Sequence, residues 1–255
     1  NIHLSGGNLK PSWNNRFRFE YSKFIVKRQQ NWQVDAQIDQ SSNNISTAIH
    51  YDETSGVRTT QPKNINGNWS ARTDFTFTTG FGAKKAFRLN SSTTGTYDNS
   101  VGYISVDKSV SSQKNTTKTS GIFQKLNLRY HNDFMEAKIG ASLRYRHTDN
   151  ELRPQSNMDT YNYTYSASAK FILPWKMTIE NSLRMSSRRG YSNKNMNTDE
   201  LIWNATASQN FFKGSPLIIR LQLYDILRNR SNIVRTINAQ SRVDSENDAS
   251  YSYFM

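Results

Sequence analysis

Ten bases stand out by their spacing: Arg16, Arg18, Arg72, Arg129, Lys138, Arg144, Arg146, Lys170, Arg184 and Arg220. Most lie in stretches where every second residue is apolar, and the base takes the other parity. Side chains alternate across an extended strand, so these bases share one face of whatever sheet they form. A row of guanidinium groups can focus field on an anionic solute. The simpler reading is that they pair with acids such as Glu20, Asp74, Glu136 and Glu180. Other chemistry finds little footing. His3, His50, His131 and His147 show no metal-ligand spacing, and with no Cys a structural zinc site is not expected. No GxSxG, HExxH, P-loop or GxGxxG pattern occurs. Asp199 and Glu200 are adjacent, would point to opposite faces of a strand, and read as solvated loop acids. The expectation is a protein that is not an enzyme, with no catalytic residue, metal or cofactor.

The elements that position such a row must fit an unusual composition. The chain has 255 residues, 35% hydrophobic, with a formal net charge of +13. A self-contained domain usually needs about 45 to 50% apolar residues. Disorder would explain the polarity, yet disordered chains are poor in aromatics, and this one carries 13 Tyr, 13 Phe and 5 Trp. Those rings must face something apolar. The absence of Cys removes a disulfide framework. No run of about 18 apolar residues exists for a transmembrane helix. Residues 1–10 show no basic n-region and no apolar h-region. The expectation is that a signal was removed or that the chain is a fragment.

The dominant period is two. From Trp69 one parity reads Trp69, Ala71, Thr73, Phe75, Phe77, Thr79 and Phe81, and the other Ser70, Arg72, Asp74, Thr76, Thr78 and Gly80. The stretches from Met135 and from Tyr161 alternate in the same way. Further strands are expected over 15–27, 32–51, 85–97, 122–131, 176–186, 201–211 and 217–227, with a last one near Tyr251, about eleven in all. Short links at 28–31, 82–84, 132–134, 173–175 and 213–216 alternate with long polar ones at 52–68, 98–120, 148–160, 187–200 and 228–250. One architectural unit is expected, with tight turns at one end and loops at the other.

Alternation alone fits a soluble sandwich, apolar inside, or a transmembrane barrel, apolar outside. Strands of about 10 to 13 residues suit a tilted membrane crossing better than the usual 5 to 6. Short turns alternating with long loops match the periplasmic and extracellular ends of outer-membrane barrels. Aromatics crowd strand ends at Tyr130, Tyr145, Tyr161, Tyr163, Trp175, Trp203, Phe211 and Phe212, where an interfacial girdle would lie. The fold expected is therefore all-β, an antiparallel transmembrane β-barrel. Arg72, Arg129, Arg144, Arg146, Arg184 and Arg220 are its candidate lumen-lining residues. Nucleic-acid binding, suggested by the positive charge and interleaved rings, explains whole strands lined with apolar side chains less well, and no nucleic-acid partner is expected.

Several segments carry a resemblance. GGNLKPSW (Gly6 to Trp13) resembles a segment that precedes late barrel strands in TonB-dependent outer-membrane receptors, here lacking its first Pro. YDETSGVRTTQPKNINGNW (51–69), IWNATASQNFFKG (202–214), IRLQLYDILRNRSNIVR (219–235) and YSYFM (251–255) look like parts of the related outer-membrane barrel family abundant in Bacteroidetes. The resemblance implies that 1–255 is the C-terminal portion, about half, of a 22-stranded plugged barrel. The N-terminal plug and first strands would lie outside this sequence. It implies location in the cell outer membrane with long loops extracellular, and TonB-dependent uptake of a nutrient. Implied partners are TonB through the plug region, a surface lipoprotein or other envelope subunits, and outer-membrane lipid or lipopolysaccharide. Lys84, Lys85 and Lys108 are of the type needed to grip lipopolysaccharide phosphates. The alternative role is structural, as a fixed subunit of a larger outer-membrane complex without transport.

Overall fold

A computed structural model describes residues 2–3, 8–52, 54–105, 110–192, 194–211, 217–230, 232–237, 242–247 and 253–254. Strands dominate, and the described residues contain no α-helix, only short 3-10 turns. None of the helical segments is long and apolar enough to cross a membrane. The strands are β1 (Ile2–His3), β2 (Trp13–Ile25), β3 (Gln30–Ser42), β4 (Asn44–Tyr51), β5 (Arg58–Ile65), β6 (Asn68–Phe81), β7 (Phe87–Ile104) and β8 (Gln113–His131). They continue with β9 (Met135–Asn150), β10 (Met158–Ile172), β11 (Met177–Arg189), β12 (Asp199–Asn210), β13 (Ile218–Tyr224), β14 (Asn232–Ile237), β15 (Arg242–Asn247) and β16 (Tyr253–Phe254).

Eleven strands form one sheet in the order β16-β13-β12-β11-β10-β9-β8-β7-β6-β3-β2, antiparallel throughout. This is a meander in which chain neighbours pair. Tight connections at 26–29, 82–86, 132–134 and 173–176 lie at one end, where β12 also ends and β13 begins, and the other end carries the connections 43–67, 105–112, 151–157 and 190–198. The expected alternation of short and long links is therefore present. The sheet is open among the described residues, with β2 at one edge and β16 beside β13 at the other.

The long links are more ordered than the sequence suggested. The expected single strand 32–51 breaks at Asn43, whose φ of 54° turns the chain out of the sheet. β4 and β5 then form a separate hairpin, with β1 alongside β5 in parallel. Its turn is shaped by Asp52, whose carboxylate accepts hydrogen bonds from the Ser55 hydroxyl at 2.6 Å and the Thr54 N–H at 2.9 Å. Those two donors hold the Asp52 carboxyl below the usual carboxylate range. The expected loop 98–120 is mostly strand as well, because β7 and β8 stay paired out to Ile104 and Gln113. The hairpin leans on this extension: Tyr103 N–H donates to the Ser46 hydroxyl at 3.1 Å, and Ser112 N–H to the Ile49 carbonyl at 2.6 Å.

The buried residues cluster at this long-loop end. Among the described residues Ala48, Ile65, Val101, Ile104 and Met196 are the buried apolar ones, beside the fully or nearly buried polar Asn115, Thr117, Thr148 and Asn150. No layer of described residues packs upon the rest of the sheet, and Phe17 is 66%, Tyr165 61% and Ile139 57% exposed.

Candidate functional site

Strand register fixes which side chains share a face, because directly paired residues point the same way. One such row runs Phe77, Ser91, Leu126, Ala141, Tyr165, Met185 and Leu201 across β6 to β12. The rows beside it carry Leu128, Ile139, Ala167, Leu183 and Trp203, and Phe81, Phe87, Tyr130, Ala137 and Ala169. Together they make one apolar face. On β9 it spans Met135 to Tyr145, about 34 Å along the strand at ~3.4 Å per residue, or about 26 Å of height at the ~40° tilt common in barrels. Ten strands at ~4.8 Å spacing bring that belt to roughly 1,600 Å², about three times the largest patch of an ordinary soluble monomer.

Aromatic rings border the belt. Toward the long-loop end, Trp69 stacks on Tyr97 at 4.8 Å and Tyr145 meets Tyr161 at 5.0 Å. The Tyr145 hydroxyl donates to Asp159 Oδ1 at 2.6 Å, so this ring has an apolar body and a wet tip. Toward the tight turns, Phe87 sits between Phe81 at 5.5 Å and Tyr130 at 4.9 Å, and Trp175 is exposed in the turn between β10 and β11. Above the upper border, the same face turns polar through Lys114, Lys118, His147, Asp149 and Arg189.

The opposite face collects the bases. Arg72, Arg129, Arg144, Arg146, Arg184 and Arg220 all lie on it, as do Arg16, Arg18, Lys138 and Lys170. Part of the row is neutralised by local acids. Arg72 Nε reaches Asp74 at 2.5 Å, and Glu136 takes both Arg129 at 2.8 Å and Lys138 at 2.7 Å. Arg18 bridges Glu20 at 2.6 Å and Asp35 at 2.7 Å, and Arg16 meets Asp39 at 2.5 Å. Exposed pairs of this kind stabilise little, so they balance charge rather than hold the sheet together. Glu180 lies opposite Lys170 in the register but forms no ion pair among the described residues. Lys170, Arg144, Arg146, Arg184 and Arg220 have no ion pair with a described carboxylate, so they hold the positive surplus of the row.

One sequence expectation needs correction. Glu200 is not a solvated loop acid: it lies in β12, is 4% exposed, and takes Arg188 Nη1 at 2.7 Å. The cause is the register Ser186↔Glu200, which turns it under the connection 190–198. Its neighbour Asp199 does point to the other face, accepting Arg189 at 2.7 Å. Lys84 and Lys85 lie in the tight turn between β6 and β7, at the end remote from the long loops, whereas Lys108 lies outside the described residues. Tight turns place them there because both adopt positive φ, 51° and 56°.

Residues that sequence reasoning did not single out complete one of two hollows on the polar face; the other, of about 410 Å³, is lined by Ser166, Ser182, Arg184 and Asn204. Arg72, Arg144 and Arg146 line a depression of about 300 Å³ with Thr94, Thr96, Gly121 and Phe123. Gly121 falls between the expected loop 98–120 and the expected strand 122–131, whereas it lies within β8. The signal available was its polar-face parity relative to Arg129. Among the described residues no group of three or more His, Cys, Asp or Glu could hold a metal ion. The chain matches no protein family, no curated protein and no solved structure.

Proposed function

We propose that this sheet is part of the wall of an outer-membrane β-barrel of the TonB-dependent receptor type, whose task is uptake of a nutrient across the outer membrane. The observation that carries the reading is the uncovered apolar belt, bordered by rings at both ends, with the charge gathered on the opposite face. Water would meet an apolar face of roughly 1,600 Å², whereas a bilayer core of about 25 to 30 Å matches the belt's height. The polar face would then line a lumen, and the low overall hydrophobicity follows, since only one parity needs to be apolar. Closure of a 22-stranded, plugged barrel would bring further strands to the edges at β2 and β16. The long-loop end, with its β4–β5 hairpin and extended β7–β8, would be extracellular. Lys84 and Lys85 then face the periplasm, so any contact with lipopolysaccharide falls to other residues.

The chain has no Cys, so single-cysteine variants are clean reporters. Gln155→Cys and Asn195→Cys, exposed at the long-loop end, are expected to react with a membrane-impermeant maleimide on intact cells. Asp133→Cys, in a tight turn, is expected to react only after lysis. The reverse pattern overturns the topology. For the uptake role, deleting the gene should cause a growth defect on at least one limiting nutrient, rescued by the intact gene. Growth unchanged throughout, with stoichiometric co-purification of other envelope proteins, would favour the scaffold role.

A further inference from the structure

We infer that the hollow around Gly121 is a subsite for an oxyanion, a phosphate or carboxylate group carried by a polar solute. The register builds it. Arg72, Thr96, Gly121 and Arg146 occupy one row across β6, β7, β8 and β9, all on the polar face. Three strand steps of ~4.8 Å put the outer two backbones about 14 Å apart, a span that two arginine side chains can reach across from either side. Between them, Gly121 supplies no side chain, so the row dips. A Cβ at that position would lie 3.0 Å from Thr96 Oγ1 and 3.3 Å from the Tyr145 carbonyl.

The third arginine closes the depression from below. Arg144 lies two residues before Arg146 on the same strand and face, and its guanidinium sits 4.6 Å from the centre of the Phe123 ring. That contact holds the guanidinium over the ring, and a guanidinium so placed can offer forked N–H donors to an oxyanion. Thr94 and Thr96 add hydroxyls to the lining. The hollow's volume, about 300 Å³, is at the small end of small-molecule sites.

Charge favours the same occupant. Asp74 engages Arg72 through Nε at 2.5 Å and Nη2 at 2.8 Å and also accepts Thr94 Oγ1 at 2.5 Å, so one positive charge is offset. Asp98, one row away, faces Arg146. Arg144 has no acid partner among the described residues. A small anion entering the hollow therefore meets a net positive site with preset donors. The assignment rests on the register of the sheet and holds whatever covers the opposite face.

The test is titration of the purified full-length protein with pyrophosphate and, separately, with citrate, followed by calorimetry at low ionic strength. Binding of pyrophosphate alone identifies a phosphate subsite, and binding of citrate alone a carboxylate subsite. Arg144→Gln and Arg146→Gln should each weaken the bound anion about tenfold or more. Gly121→Ser, which keeps every charge but fills the dip, should weaken it comparably. Arg184→Gln, on the same face but outside the hollow, should leave affinity within twofold. An equal loss with Arg184→Gln would overturn the subsite in favour of a diffuse field, and no binding of either anion would also overturn it. Circular dichroism of each variant separates a lost site from a lost fold.

Discussion

Ala141→Arg is expected to destabilise the folded protein by about 2 to 4 kcal/mol in a bilayer, while Ser142→Arg changes stability by less than about 0.5 kcal/mol. The two residues are adjacent on β9 and differ in the face they occupy. Ala141 lies at mid-height of the apolar belt, between Leu126 and Tyr165 in the register, both of them exposed. A guanidinium there must leave water, with no acid on the same row to receive it. Ser142 lies between Lys125 and Thr164 on the polar face, where an added base remains solvated. Urea titration of the protein folded into lipid vesicles measures both. Equal losses from the two substitutions would contradict the facing assignment.

Gly190→Ala is expected to cost about 3 kcal/mol or more, combining left-handed backbone strain of about 1 to 3 kcal/mol with a steric clash. Gly190 follows the last residue of β11 with φ of 83°. A Cβ there would lie 1.8 Å from the Asp159 carbonyl oxygen and 2.9 Å from its carbon, both backbone atoms of the paired strand. No side-chain rotation relieves that contact, so β11 must shift against β10. The connection 190–198, which buries Met196 and returns the Thr198 carbonyl to the Arg188 N–H at 2.9 Å, would loosen with it. Gly56 supplies the control: its φ is 67°, and a Cβ would meet nothing within 4 Å. Gly56→Ala should therefore cost only about 1 kcal/mol. The same urea titration compares them, and equal costs would show that strain alone acts at Gly190.

What could be read from the sequence was decided by where the two faces of a strand meet different surroundings. Inside the belt they do. Phe75 and Phe77 alternate with Asp74 and Thr76, and Ile139 with Lys138 and Gly140, so parity, strand existence and the shared face of the six arginines were all legible. Beyond the upper rings both faces are polar, and alternation carries no contrast. Residues 98–104 and 113–120 read as loop for that reason, although their backbones stay paired. The break at Asn43 was hidden because Trp32 to Tyr51 continues to alternate through it. Glu200 was misread because its burial comes from the connection folded over it, which no local pattern records. Pairing within a strand was more accessible, since Arg72 and Asp74, or Glu136 and Lys138, are two residues apart and necessarily on one face. Which arginines remain without an acid depends on neighbouring strands, and so on register. The hollow at Gly121 emerges only when four strands are aligned.

The central claim is that the apolar face meets lipid, and the tryptophans report on it directly. Trp13, Trp32, Trp69 and Trp203 all lie on that face, and Trp175 is exposed in a tight turn beside it. In vesicles whose acyl chains carry bromine, the full-length protein should show strong quenching of tryptophan emission, with little quenching by aqueous acrylamide. A variant keeping only Trp203, within the belt, should be quenched most by bromines deep in the chain. Emission untouched by brominated lipid but quenched by acrylamide, in a protein that stays folded without detergent, would contradict the account.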